Sequence, residues 1–293
     1  MEAVRHGAFS DLHERIKVRS IFHPSDFTEA SEVAFAHALK IALVTKARLA
    51  VLHVGADSSL SWEDFPRVRD TLERWKIIPK GSSRSVVGEL GINVDKVMAY
   101  GKSPVKACLG FLERHPTDLI VLAVRRQEGR MRWLEKSVGK PVVREAGQMT
   151  LLIPHGVEGF VARQDGSISL RSILIPVIRK PCPQPSVEAA ARLTRNLQLA
   201  TGTVTVLHVG PAAEVPVIKV PENTNWTWNR VARAGELVNT IVQTAAELRA
   251  DLIIMTTSGS DGFLDALRET TAERVLRKAS CPVASLPVGS MLG

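Results

Sequence analysis

LAVLHVG (residues 49–55) returns 155 residues further on as VTVLHVG (204–210). TDLIVLAV (117–124) returns after 133 residues as ADLIIMTT (250–257). Three weaker matches keep the same order. IFHPSD (21–26) aligns with LIPVI (174–178), Pro24 falling on Pro176. YGKSPVKACLGFLERH (100–115) aligns with AGELVNTIVQTAAELR (234–249), and REAGQMTLLIP (144–154) with RKASCPVASLP (277–287). A repeat of this length is a duplicated globular unit, because solenoid periods are far shorter. The offset falls by 22 between the two strongest matches, so the first unit carries that much extra sequence within 56–100.

Short apolar runs bounded by turn residues read as strands at 18–23, 48–54, 94–99, 118–124 and 149–153. Runs such as DLIVLAV are apolar at successive positions, which suits strands covered on both faces in a parallel sheet. Residues 29–45, 103–114 and 236–249 carry helical stripes between them. Alternating strands and helices predict an α/β fold of two tandem doubly wound parallel sheets. Asp165-Gly166, inside GFVARQDGSISLRSILIP (159–176), is a hairpin signal and predicts a β-ribbon between the units. SWEDFPRVRDTLERW (61–75) reads as an amphipathic helix over the sheet edge or a partner surface.

The 293 residues, 45% apolar and 23% charged, are ample for two cores. A net charge of +8 suits anionic partners, but no long Lys/Arg block marks a nucleic-acid arm. Cys108, Cys182 and Cys281 have no paired spacing, which argues against a disulfide framework or zinc cluster. Cys281, before Pro282, reads as core. Residues 1–17 lack the apolar centre of a signal peptide, and no run reaches the ~18 residues of a membrane span. The expected compartment is the cytoplasm.

In open parallel sheets ligands sit beyond the carboxyl ends of the strands, where strand order reverses. Two loops therefore matter. HPSDFTEAS (23–31) places Asp26 at a strand end, where its carboxylate could meet a ribose or base. Asp26-x-x-Glu29 is also capping-box spacing, a purely local role. The second unit has Ile178 at that place. TTSGSDGFLDALRETTAERV (256–275) offers Gly259 and Gly262 for close backbone approach. It also offers Thr270 and Thr271 at a helix start, the ingredients of a phosphate cradle. Thr270-x-x-Glu273 is again a capping box. His53 and His208 are one repeat position and read as structural histidines bonded to backbone. Trp226 and Trp228 share a strand face and read as edge or interdomain packing. No residues form a catalytic triad, HExxH or a Walker loop, so no catalytic or metal residue is assigned.

On HPSDFTEASEVAFAHALKIALVTKARLAVLHVG, ADLIIMTTSGSDGFLDALRETTAERVLRKASCPV and their counterparts, the chain resembles the universal stress protein family in its tandem two-domain form. The resemblance implies five-stranded parallel sheets of strand order 3-2-1-4-5, with dimerisation through the last strand. The division it implies is an extension 1–16, a first domain 17–155, a hairpin linker 156–170 and a second domain 171–290. It implies an intramolecular pseudo-dimer, with further self-association as a homodimer and an unnamed protein as other partners; membrane and nucleic acid are not expected. Part of the family binds ATP through Gly-x2-Gly-x9-Gly-Ser/Thr and an Asp ending the first strand. In the second unit those motif positions hold Thr256, Gly259, Glu269 and Thr270, with Ile178 for the Asp. In the first they hold Ala123, Arg126, Lys136 and Ser137, with Asp26 kept and Arg125, Arg130, Arg132 and Lys140 nearby. Neither set is complete. The expected function is a stress-response binding or regulatory protein with degenerate nucleotide clefts. The alternatives are an ATP or other adenine-nucleotide binder with at most slow ATPase activity, and a protein interaction module without small ligand.

Overall fold

The computed structural model describes residues 18–55, 61–101, 103–124, 147–178, 180–221, 225–258 and 270–288. The first unit has strands β1 (Ser20–Pro24), β2 (Arg48–Gly55), β3 (Asn93–Tyr100), β4 (Leu119–Val124) and β5 (Met149–Pro154). The second has β6 (Ser172–Val177), β7 (Gly202–Val209), β8 (Trp226–Arg233), β9 (Leu252–Thr257) and β10 (Val283–Pro287). The described helices are α1 (Glu29–Thr45), α2 (Val68–Arg74), α3 (Ser85–Glu89), α4 (Pro104–Arg114), α5 (Gln184–Asn196), α6 (Leu237–Glu247) and α7 (Thr271–Lys278).

Each unit is parallel with order 3-2-1-4-5, as expected. The two are not separate sheets. They join into one ten-stranded sheet, β3-β2-β1-β4-β5-β10-β9-β6-β7-β8. The join is antiparallel, with Val283, Ala284 and Ser285 opposite Leu152, Leu151 and Thr150. β5 and β10 are almost wholly buried and would otherwise be edges with unpaired backbone groups. Pairing them removes both edges. Alternation along the strands then makes two cores that each run through both units. Leu151, Ile153, Ala284 and Leu286 feed the core on one face; Leu152 and Val283 feed the other.

The repeated "DL" pair has a shared physical role. The Asp118 carboxylate accepts hydrogen bonds from the backbone N–H groups of Arg19 and Ser20 at 2.8 and 2.9 Å, just where β1 begins. Asp251 repeats this for Arg171 and Ser172, at 2.7 and 2.9 Å, at the start of β6. The aspartate thereby aligns the central strand of each unit with its neighbour β4 or β9.

Two local expectations need correction. The ribbon at Asp165-Gly166 turns as expected but holds only one antiparallel bridge, Val161 to Ile168, rather than two strands. Besides the bonds across the turn, its residues clasp α1: Phe160 and Val161 donate to His37 Nε2, and Arg163 pairs with Glu29 and Glu32. That clasp explains why α1 is buried nearly all round. Gly166, at φ +69°, lies where an added Cβ would be 2.5 Å from Trp75 Cδ2. The stretch 61–75 is not one helix. A 3-10 turn at Trp62–Asp64 and α2 are separated at Phe65-Pro66, where proline supplies no N–H. Trp75 lies beneath the linker and donates to the Arg163 carbonyl at 3.0 Å, while Lys96 of the outer strand β3 sits over the Phe65 ring at 5.8 Å.

Candidate nucleotide clefts

The first cleft lies beyond the carboxyl ends of β1 and β2. Asp26 is exposed there, as a ligand contact requires. Its Oδ1 accepts from the Thr28 N–H at 3.1 Å and the Thr28 hydroxyl at 2.6 Å. The N-cap of α1 is therefore Thr28, not Asp26, and the expected Asp26–Glu29 capping box does not form. Thr28 presents its hydroxyl to Ser31 N, and Asp26 braces the cap from behind. Phe27 takes a left-handed φ of 58°, a conformation that costs a bulky residue about 1–2 kcal/mol.

The offsetting contact is aromatic. The Phe27 ring stacks on His53 at 3.9 Å between centroids and 11° between planes, and meets Phe65 edge-on at 5.2 Å. Phe65 is buried, and Trp62 stacks on it. His53 is fixed by its Nδ1, which donates to the Ser25 carbonyl at 2.7 Å. The extra segment of the first unit thus brings its own aromatic side chains over the ends of β1 and β2. Behind them His23 is fully buried, its Nδ1 on the Val121 carbonyl at 2.9 Å. Burial pushes its pKa down to about 4.

The second cleft lies beyond β6 and β9. Thr256, at the place of the first motif glycine, shares a 2.6 Å hydrogen bond with Ser186 at the start of α5. That contact spans the point where the strand order reverses. Ile178 is 37% exposed at the end of β6, with no carboxylate to offer. Thr270 is the N-cap of α7, and its capping box is complete. Its hydroxyl accepts from Glu273 N at 3.2 Å, and its N–H donates to Glu273 Oε2 at 2.8 Å. The Thr270 N–H is engaged, its hydroxyl accepts one bond, and a carboxylate sits at the helix start. Thr271 is the first residue of α7. His208 Nδ1 donates to the Val177 carbonyl at 3.3 Å, the same structural role as His53.

Arg126, Lys136, Ser137, Gly259, Gly262 and Glu269, with Arg125, Arg130, Arg132 and Lys140, lie outside the described residues. Among the described ones Asp26 follows β1, Thr256 lies near the end of β9, and Thr270 and Thr271 open α7. Sequence reasoning missed Phe27, Phe65 and Ser186. The left-handed Phe27 has no sequence signal. Phe65-Pro66, a helix-breaking pair inside the extra segment, is the signal that could have marked Phe65.

The other singled-out residues are structural. Trp226 is buried on the outermost strand, its Nε1 on the Leu199 carbonyl at 3.3 Å. Cys108 and Cys281 are buried and in no disulfide, and burial pushes the Cys108 pKa up to about 12. Among the described residues no cluster of three or more His, Cys, Asp or Glu could hold a metal ion. No described helix is long and apolar enough to cross a membrane.

These features define a duplicated α/β protein whose strand order reverses once in each unit. The sequence profile of the universal stress protein family matches residues 17–154 and 227–287, more than half of the chain. The chain belongs to that family. A universal stress protein from Archaeoglobus fulgidus DSM 4304 is similar at 15% identity and TM-score 0.60, over 92% of this chain and 96% of that one. A candidate universal stress protein from Pseudomonas aeruginosa UCBPP-PA14 is similar at 16% identity and TM-score 0.60, over 92% and 93%. The cytoplasmic domain of a prokaryotic cation chloride cotransporter is similar at 13% identity and TM-score 0.51, over 94% and 99%. Identities this low speak for the fold alone. No curated protein matched.

Proposed function

We propose that this is a cytoplasmic, stress-responsive binding protein whose two clefts have departed from ATP binding and which acts through protein contacts. The observation that carries the reading is the Thr270–Glu273 capping box. A nucleotide phosphate at the start of α7 would compete with a carboxylate already bonded there. Two unit charges about 4 Å apart repel by about 1 kcal/mol in water and about 4 at the effective dielectric near a protein surface. Phe27, His53 and Phe65 support the same reading in the first cleft, and the Thr256–Ser186 bond supports it in the second.

A second reading rests on Asp26, whose exposed carboxylate keeps the family's base-side position. Under it the first cleft binds an adenine nucleotide, with slow hydrolysis or none. Calorimetric titration of ATP, ADP and AMP separates the two. The proposal expects no saturable heat up to about 1 mM. Micromolar binding that Asp26→Ala abolishes would establish the second reading instead. Joining β5 to β10 inside one chain supports the pseudo-dimer; a further homodimer, if it forms, would use other surfaces.

A further inference from the structure

A cavity of ≈ 70 Å³ lies where the two units meet, on the sheet face that carries α1 and α5. Ile41 of α1, Ala189 of α5, Leu151 of β5, Ala284 of β10 and Phe160 of the linker help line it. It lies away from the first cleft, at Leu119, the first residue of β4, and borders the second, since Leu286 of β10 pairs in register with Thr256 and Ala189 follows Ser186 by one turn of α5. The lining is almost wholly apolar, with one cation, Arg192.

That cation is poorly satisfied. The Arg192 side chain is 21% exposed, and its closest carboxylate contact is Glu188 Oε2, at 3.8 Å from Nη1. Nη2 is buried without a hydrogen-bond partner. A guanidinium is a planar fork whose best match is a carboxylate taken two-pronged. A charged N–H kept from water without a partner costs free energy. Burial pushes the Arg192 pKa down, with Glu188 opposing and Arg195 adding to the fall. An apolar chamber with one under-used guanidinium fits an amphipathic acid: tail among Ile41, Ala189 and Leu151, head at Arg192. At roughly 10–15 Å³ per water-sized group, the ≈ 70 Å³ takes about five to seven non-hydrogen atoms, room for a five-carbon tail with the carboxylate outside it at Arg192.

We propose that the seam between the two units binds a short-chain monocarboxylate of about four to six carbons, with Arg192 gripping the carboxylate. Ligand contacts on both β5 and β10 would then tie occupancy to the packing of one unit on the other.

The test is calorimetric titration of hexanoate into the full chain, with hexan-1-ol as the neutral control. The expected result is saturable hexanoate binding with Kd about 0.1–1 mM, an ordinary value for an acid of this size, and hexan-1-ol at least about tenfold weaker. Arg192→Met keeps the apolar stem, and should weaken hexanoate about tenfold while leaving hexan-1-ol unchanged. Ala189→Leu fills the chamber and should remove both, which keeps the test open if the Arg192 variant does not fold. No saturation by hexanoate up to about 10 mM overturns the proposal. So does equal affinity for the alcohol, or unchanged hexanoate binding in either folded variant.

Discussion

Acidification should unfold this protein through two buried histidines, and His37 is the one whose geometry makes the case. It is fully buried on α1. Its Nδ1 donates to the Val33 carbonyl at 2.8 Å, and its Nε2 accepts from the N–H groups of Phe160 and Val161 at 3.0 and 3.1 Å. Only the neutral ring protonated at Nδ1 fits. A proton on Nε2 would point at two donors. Burial pushes its pKa down to about 4, against the partial opposition of the Val33 bond, and His23 is pushed to about 4 as well. The fold thus favours the neutral ring, whereas the unfolded chain takes the proton near 6.5. The stability held by each ring is complete above pH 6.5, and falls as the pH drops through the window from 6.5 to about 4. Linkage gives a loss of about 2 kcal/mol per histidine at pH 5 and about 3 at pH 4. Against the 5–15 kcal/mol typical of folded proteins, the pair is a large fraction. Urea denaturation at pH 7, 6 and 5 measures it on the parent and on His37→Gln. The variant should lose about 1–3 kcal/mol at pH 7, because two backbone donors lose their fitted acceptor. Its further loss between pH 7 and 5 should be smaller than the parent's by about 2 kcal/mol. An unchanged loss between pH 7 and 5 would refute the reasoning.

Gly166→Ala adds a Cβ at a left-handed position 2.5 Å from Trp75 Cδ2, and should cost about 2 kcal/mol or more, read as a lower Tm with altered tryptophan emission. Asp118→Ala and Asp251→Ala each remove one carboxylate that two strand-start N–H groups share; each should cost about 2–3 kcal/mol in urea denaturation, alike in the two units. Thr270→Ala breaks the cap of α7, and should cost about 1 kcal/mol, with faster hydrogen exchange confined to the first turn of that helix.

The duplication and the parallel strands were legible because a buried parallel strand leaves an unmistakable apolar run, and DLIVLAV and ADLIIMTT are two copies of one; the strand order came only with the family resemblance. The fused sheet was less so. MTLLIP and VASLP both read as covered strands, but nothing in either names its neighbour across the join. The site divides the same way. The Thr270–Glu273 box was readable because capping is a contact between residues three apart. Asp26 and Thr28 are both good caps, and only the backbone turn at Phe27 decides between them. The Phe27–Phe65 and Thr256–Ser186 contacts join residues far apart in the chain, so no local pattern carries them.

The central claim is that both clefts have lost ATP. Its most direct test is a calorimetric titration of ATP into the unmodified chain beside the repaired variant Ile178→Asp/Thr256→Gly/Glu269→Gly. No saturable heat is expected from the unmodified chain up to about 1 mM, with binding at least about tenfold tighter after repair. Micromolar binding by the unmodified chain would contradict it.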